Sequence, residues 1–553
     1  MTAEPLRARR SVDAAPWLCL AGGLLATLWV AVPRAWLVAD RFTLPKGLLF
    51  HAAALLTGVA CLAVPRRWRL DEVDLAGLAF AGLGALSALV VAHNKWLALG
   101  ALGVTLSGTL LFLAARVVAG EGRREELLLT VAVGVGVLAL SVVLEAYGLL
   151  DGLSPEKRAP GGLLGHRNRA AHLLVLALPV LWRGLARARS WRTLGLHLGT
   201  VALMGTAITL SRSRAAWLAM GVLAVLLLVA WVTGRTRAAG ARWHTVALVA
   251  ALLGGAGVAL VAPDALSWRG SYADTLRRVG EHDAGSGRGR LIQYTNTLHM
   301  VAGAPLLGVG PGNWTVQYPR FATPGDPSYS EGALVPVDAL PQADWVGLLA
   351  ERGVLALLVL AAAGALLLLG AWKRIHDGET DETRRDGWTL LAVLIALVVL
   401  GALDTVLLTP PATFLVAVVV GALASARREQ VTLSFEAGRR QMAMAGVVLL
   451  TACPLAYGAV RGQARQLVYQ EPRSAERYAR AARLDPGAYE ARVLLGDSEV
   501  RQGRCEQGLA ILREANHLFP HAKAPMMAWA PCHPESRKAA SHAAPTVMDV
   551  PER

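Results

Sequence analysis

Arginine carries most of the chemical potential of this sequence, in three short segments. Gly165-His166-Arg167-Asn168-Arg169 precedes an apolar run. Ser211-Arg212-Ser213-Arg214 makes a tight turn between two apolar runs, and Gly287-Arg288-Gly289-Arg290 lies in a polar stretch. A guanidinium presents a planar fork of donors that matches phosphate oxygens, and it stays charged when partly dehydrated. Several such groups at one membrane boundary suit the diphosphate of a lipid-linked substrate. The plainer reading is that each arginine reaches out to lipid headgroups. That reading fits Arg212 and Arg214 least well, because they share so short a turn.

Other residues carry weaker signals. Pro305-Leu306-Leu307-Gly308-Val309-Gly310-Pro311-Gly312-Asn313-Trp314 is rich in glycine, which allows backbone conformations other residues resist,. It lacks the terminal Gly-Lys-Ser/Thr of a phosphate-binding P-loop and by itself means a tight bend. Asp404 falls in an apolar run, where a carboxylate is costly and often functional; capping near Thr409-Pro410-Pro411 is the equal alternative. Glu145 reads as interfacial, and His282 and His299 as structural or solvated. No Cys/His spacing suggests a zinc site, and neither a metal nor a cofactor is expected.

These groups must be positioned by membrane helices. Of 553 residues, 54% are hydrophobic and 17% charged, whereas an ordinary soluble protein carries about a quarter charged residues. About twelve or thirteen apolar runs approach the roughly 20 residues a span needs. They lie near 15–33, 45–65, 73–92, 96–119, 126–148, 170–186, 191–210, 214–233, 243–262, 345–371, 388–408, 411–426 and 441–460. The first is kept as a span, since further spans and no small-residue cleavage site follow it. The expected fold is an all-α polytopic membrane helix bundle. Its parts are transmembrane helices 1–9 over 1–262, a large loop over 263–344, helices 10–13 over 345–460, a tail over 461–534 and a disordered end over 535–553.

The net charge of +15 sits in the loops between spans, which argues against a nucleic-acid-binding domain. Lys and Arg crowd alternate loops, as at Arg66/Arg67/Arg69, Arg183/Arg187/Arg189/Arg192 and Lys373/Arg374/Arg384/Arg385. By the positive-inside bias these loops face the cytoplasm with the N-terminus, and the large loop and the tail lie outside, periplasmic in a bacterial inner membrane.

The tail repeats itself. Leu484-Asp485-Pro486 returns as Leu518-Phe519-Pro520, with Ala481 meeting Ala515 and Tyr478 meeting Leu512 at the same offset. A period of about 34 with Ala and Leu at helical spacing reads as a tetratricopeptide-type hairpin; an ordinary amphipathic helix pair is the alternative. So short an array needs something to pack on, the loop or a partner protein. Cys19, Cys61 and Cys453 lie in spans as apolar filler. Cys505 and Cys532 fall in the tail, where the compartment permits a disulfide but spacing leaves the pairing open.

Taken in order, several segments resemble the O-antigen ligase family of bacterial surface-polysaccharide ligases and polymerases. They are Gly165 to Ala171, Ser211 to Ala216, Arg290-Leu291-Ile292, Pro305 to Asn313, and Asp344-Trp345-Val346-Gly347-Leu348-Leu349-Ala350-Glu351-Arg352-Gly353. The resemblance spans roughly residues 15–426, and members with a helical-repeat tail agree with the C-terminal reading. It implies transfer of a glycan from undecaprenyl diphosphate to an acceptor hydroxyl of lipid A core, another glycan or a protein, without nucleotide sugar or metal. By position, Arg212, Arg214 and Arg290, with Arg288, Arg167 and Arg169, would hold the diphosphate. The family pattern places a histidine before the Asp-Trp pair to activate the acceptor. This sequence has Gln342 there, and an amide is no general base near neutral pH. Asp344 or Asp338 would then take the proton, or Gln342 would position an acceptor.

Three functions compete. A glycan ligase or polymerase uses the arginines. A transporter needs an ionisable path, and the spans are nearly free of charge apart from Asp404. A non-catalytic scaffold that binds glycan-lipid and recruits partners through the tail is favoured by the missing histidine.

Overall fold

In the computed structural model the described residues are 4–33, 37–150, 160–232, 239–266, 268, 270–277, 285–424, 431–434 and 436–532. The readings for His282 and for 535–553 lie outside them. The chain is a multi-pass all-α membrane bundle. Each of the thirteen apolar runs contains a helix: α1 (Glu4–Trp29), α2 (Thr43–Ala63), α3 (Glu72–Val90), α4 (Lys95–Val118), α5 (Arg124–Ala146), α6 (Arg167–Leu185), α7 (Trp191–Ser211), α8 (Arg214–Val232) and α9 (Ala239–Val261). The intervening segment holds α10 (Tyr272–Arg277), α11 (Gly285–Gly303) and α12 (Trp314–Gln317). Then come α13 (Asp344–Asp377), α14 (Asp381–Leu403), α15 (Pro410–Leu423) and α16 (Ala437–Tyr469). Among the described residues nine helical runs are long and apolar enough to cross a bilayer. One of them, Lys95–Ala146, breaks at Gly122 (φ 88) into α4 and α5.

Helix α6 is buried on every face from Ala170 to Arg183, and α15 along almost its whole length. A helix apolar all round belongs inside a bundle, and these two form its centre, with α5, α7, α8 and α14 around α6 and α4, α5 and α2 around α15.

The two ends of the bundle differ. One end is tied by ion pairs. Arg183, 2% exposed, meets Asp386 at 2.5 Å and Glu125 at 2.7 Å, while Arg124 meets Asp386 at 2.8 Å and Arg116 meets Asp71 at 2.6 Å. At this end a two-stranded antiparallel sheet pairs β1 (Arg67–Leu70) with β2 (Val431–Ser434). It departs from a purely helical reading, because each strand lies in a loop too short to show strand periodicity.

The opposite end gathers the turn between α3 and α4, the turn between α7 and α8, the segment between α9 and α13, and the tail. The tail folds as α17 (Ala475–Leu484), α18 (Tyr489–Arg501), α19 (Cys505–Leu518) and α20 (Ala524–Trp529). Cys505 is bonded to Cys532. The tail packs on the loop: Tyr489, Leu512 and Phe519 share a core with Val316, Leu334 and Val335. Lys523 pairs with Glu331. His93 and Asn94, in the α3–α4 turn, bond the carbonyls of His517 and Leu518.

Candidate functional site

The site begins with a strained turn. Arg212 caps α7 in the left-handed conformation (φ 48), the one non-glycine residue with positive φ among the described residues. Such backbone costs about 1–3 kcal/mol and concentrates at functional sites. The strain aims a mostly buried guanidinium at the loop. Its Nη1 donates to the Gly270 carbonyl at 2.6 Å, and its plane lies 4.6 Å from the Trp268 ring and 4.0 Å from the Tyr272 ring. Its Nε is buried without a partner. Burial, followed by the charge of Asp264, raises the Tyr272 hydroxyl above its ordinary pKa, with Arg212 opposing. Arg167, at the start of α6, stacks on the other side of the cluster, 5.2 Å from Trp268.

The α5–α6 connection is pinned from behind, where the Glu145 carboxylate accepts from the Gly162 amide at 2.7 Å. This sets His166 at the entry to α6. The surrounding protein pushes the His166 pKa down to about 4, with Arg169 and Arg167 adding to the effect and Asp404 opposing it. The ring is therefore neutral near pH 7. Asn168 donates to Asp404 at 3.0 Å, and the Nε2 atom of His172, buried and without a hydrogen-bond partner, lies 3.9 Å from the same carboxylate. Arg169 reaches Thr43 at 3.3 Å and feels Asp40 and Asp404.

Asp404 is not inside a span. It ends α14, and its carboxylate also accepts from the Thr405 amide at 2.8 Å. Of the two sequence readings of Asp404, the capping one describes its place, yet the side chain still faces the histidines. Arg290, on α11, acts electrostatically on both His172 and Tyr294, and its Nε too is buried and unpartnered. Tyr294 links this group to Gln342, donating to the carbonyls of Gln342 at 3.3 Å and Ala402 at 2.7 Å. Burial is the main cause of the raised Tyr294 pKa, so the phenol stays a donor.

The candidate residues therefore divide. Arg167 and Arg169 act on His166 together with Asp404. Arg290 acts on His172 and Tyr294, on which the same Asp404 also acts, and Arg212 joins Arg167 on the Trp268 ring. Arg288 is exposed, and Arg214 is half-buried at the first position of α8. Gln342 borders the cluster; its backbone amide donates to Gln293 at 2.7 Å, and its side chain makes no hydrogen bond among the described residues. Asp344 is fully buried, and both its oxygens accept backbone amides, from Val406 at 3.0 and 3.1 Å and from Leu407 at 2.8 Å. A carboxylate so engaged anchors the α14–α15 turn. Asp338 is exposed. His166 and His172 were not singled out from sequence; the available signal was that both lie within seven residues of each other around the Arg167–Arg169 motif.

The described helices make this a many-helix membrane protein that gathers guanidiniums, a carboxylate and an imidazole at one end of its bundle. A family model described as O-antigen ligase matches residues 199–361, a stretch that contains Arg212, Arg290, the glycine-rich run and the Asp344–Gly353 segment. Over that stretch the chain is similar to the O-antigen ligase family of ligase- and polymerase-type membrane enzymes. No curated protein matches the chain.

Proposed function

We propose that the chain transfers a glycan from undecaprenyl diphosphate to an acceptor hydroxyl, at the end of the bundle that carries the loop and the tail. The observation that carries the reading is that Arg212 and Arg290 each have a buried Nε lacking a partner, with Arg212 sharing Trp268 with Arg167 and Arg290 acting on His172 and Tyr294 beside Asp404. Unpartnered buried donors are costly, and a diphosphate would satisfy them. In the reaction the acceptor oxygen bonds to the anomeric carbon as the bond from that carbon to the diphosphate oxygen breaks. The diphosphate leaves with negative charge that the guanidiniums stabilise. The acceptor proton passes to a base, for which Asp404 beside His166 is best placed, since Asp344 is held by backbone amides. By the charge bias of the loops this end is periplasmic and the membrane is the bacterial inner membrane. The tail is a tetratricopeptide-like platform for a protein partner.

Replacing Arg290 with Ala, or Arg212 with Gly so that the left-handed turn is kept, is expected to lower transfer by about 100-fold or more while the protein still accumulates in the membrane. Normal surface polysaccharide in both variants refutes the proposal. In a deletion strain, accumulation of lipid-linked polymer marks a ligase and single-repeat products mark a polymerase. Gln342 in place of histidine favours a second reading, a scaffold that binds glycan-lipid without turning it over.

A further inference from the structure

A cavity of about 1050 Å³ opens between α2, α3, α4, α13 and α15 and extends toward the tail. Phe80, Val104, Leu348, Leu357 and Val416 are among its apolar lining residues. Of the arginine cluster only Arg169 reaches it. Its wall also contains Arg352, which the transfer reading does not use.

Arg352 is 1% exposed, and its Nε and Nη1 have no hydrogen-bond partner. The guanidinium lies 5.1 Å from the Phe80 ring and presses against Gly84, where a Cβ would stand 2.7 Å from Nη1. The adjacent Glu351 does not complete it, because that carboxylate faces the backbone amides of Gly312 and Trp314. A buried guanidinium with two nitrogens lacking hydrogen bonds is costly, and an anion in the cavity would satisfy it. The walls admit hydrocarbon. Of the four arginines that line the cavity, Arg169 and Arg465 each have Asp40 acting on them and Arg461 acts on Asp485, which leaves the fully buried Arg352 as the cation best placed for an anionic headgroup. Phosphate oxygens match the guanidinium's fork of donors, and phosphate-headed lipids combine such a group with long hydrocarbon chains.

We infer that this cavity is a lipid site, holding the chain of a phosphate-headed lipid among α2, α3, α4 and α13 with its phosphate on Arg352. The site meets the proposed transfer centre at Arg169, but its anion rests on Arg352, and it does not depend on glycan transfer.

The test uses the full-length protein, delipidated in a neutral detergent, with thermal unfolding followed as dodecyl phosphate, dodecanol or inorganic phosphate is added. Dodecyl phosphate is expected to raise the melting temperature; dodecanol and inorganic phosphate are not. Arg352→Met removes the buried charge, so the lipid-free variant should be at least as stable as the parent, and its affinity for dodecyl phosphate should fall at least about tenfold. Gly77→Leu provides a second variant: the space beyond Gly77 is nearly open, with Thr109 at 3.9 Å from a Cβ, so leucine fills the cavity while leaving Arg352 in place. It should also abolish the shift. Arg290→Ala should keep it. The inference fails if dodecyl phosphate gives no shift, if dodecanol or inorganic phosphate reproduces the shift, if Arg352→Met retains it, or if Arg290→Ala alone removes it.

Discussion

Guanidinium and carboxylate chemistry meet at Asp404. Its carboxylate holds Asn168 at 3.0 Å and faces the unpartnered Nε2 of His172, while His166 is held neutral by its surroundings and the nearby arginines. An imidazole pushed so low is a weak base, so the Asp404 carboxylate is the group here that can take a proton a glutamine cannot. Asp404→Asn is expected to cut transfer about 100-fold with membrane levels unchanged, measured as glycan transferred in isolated membranes. Near-normal rates in that variant would remove Asp404 from the proton path. Gln342→His places a second base next to Tyr294, and faster transfer is expected in the same assay. A total lack of turnover in both parent and variant would instead favour the scaffold.

At the scale of elements, the glycine-rich run is a docking strand for the bend in α13. Val309 and Gly310 donate to the carbonyls of Ala350 and Glu351 at 2.8 and 2.9 Å, and Val354 donates back to Pro305 at 2.8 Å. The geometry depends on Gly353, whose φ of 74 and ψ of 178 interrupt the helix where a Cβ would lie 2.1 Å from the Leu306 carbonyl. That backbone region is essentially open to glycine alone. Gly353→Ala should therefore destabilise the protein by about 1–3 kcal/mol or more, read as a lower melting temperature in detergent. An unchanged melting temperature would mean that the bend tolerates a side chain. The run also sets Asn313, fully buried, to bond the backbone of Asn94 at 2.7 and 3.1 Å, which locks the loop to the α3–α4 turn.

Across the whole molecule, the ion-paired end clamps the helices that the functional end needs in register. Arg183 of α6 bridges α5 and α14 through Glu125 and Asp386, and the same α6 and α14 present Asn168 and Asp404 at the far end. Removing one partner of a buried pair strands the other, at about 3–5 kcal/mol. Arg183→Ala is expected to lose that much stability and, with it, transfer activity, although it lies at the opposite end of the bundle. Wild-type stability in detergent would count against the clamp. The tail adds a second brace, since its core is shared with the loop and its Cys505–Cys532 bridge closes α19 onto the end of α20.

Apolar runs bounded by charged loops determined the helices from sequence alone: burial in lipid requires continuous hydrogen-bonded backbone, and that requirement is local. The same holds for the O-antigen ligase segments, whose order along the chain marked Arg212 and Arg290. Sequence did not reveal that Asp344 is consumed by backbone amides, that Asp404 meets Asn168 across 236 residues, that two loop strands pair into a sheet, or that Arg352 faces a cavity without a partner. Each of these depends on which helix packs beside which, and hydropathy is silent on that choice. Packing is decided by the shapes of side-chain surfaces and by satisfying buried polar groups, terms that exist only once distant segments touch.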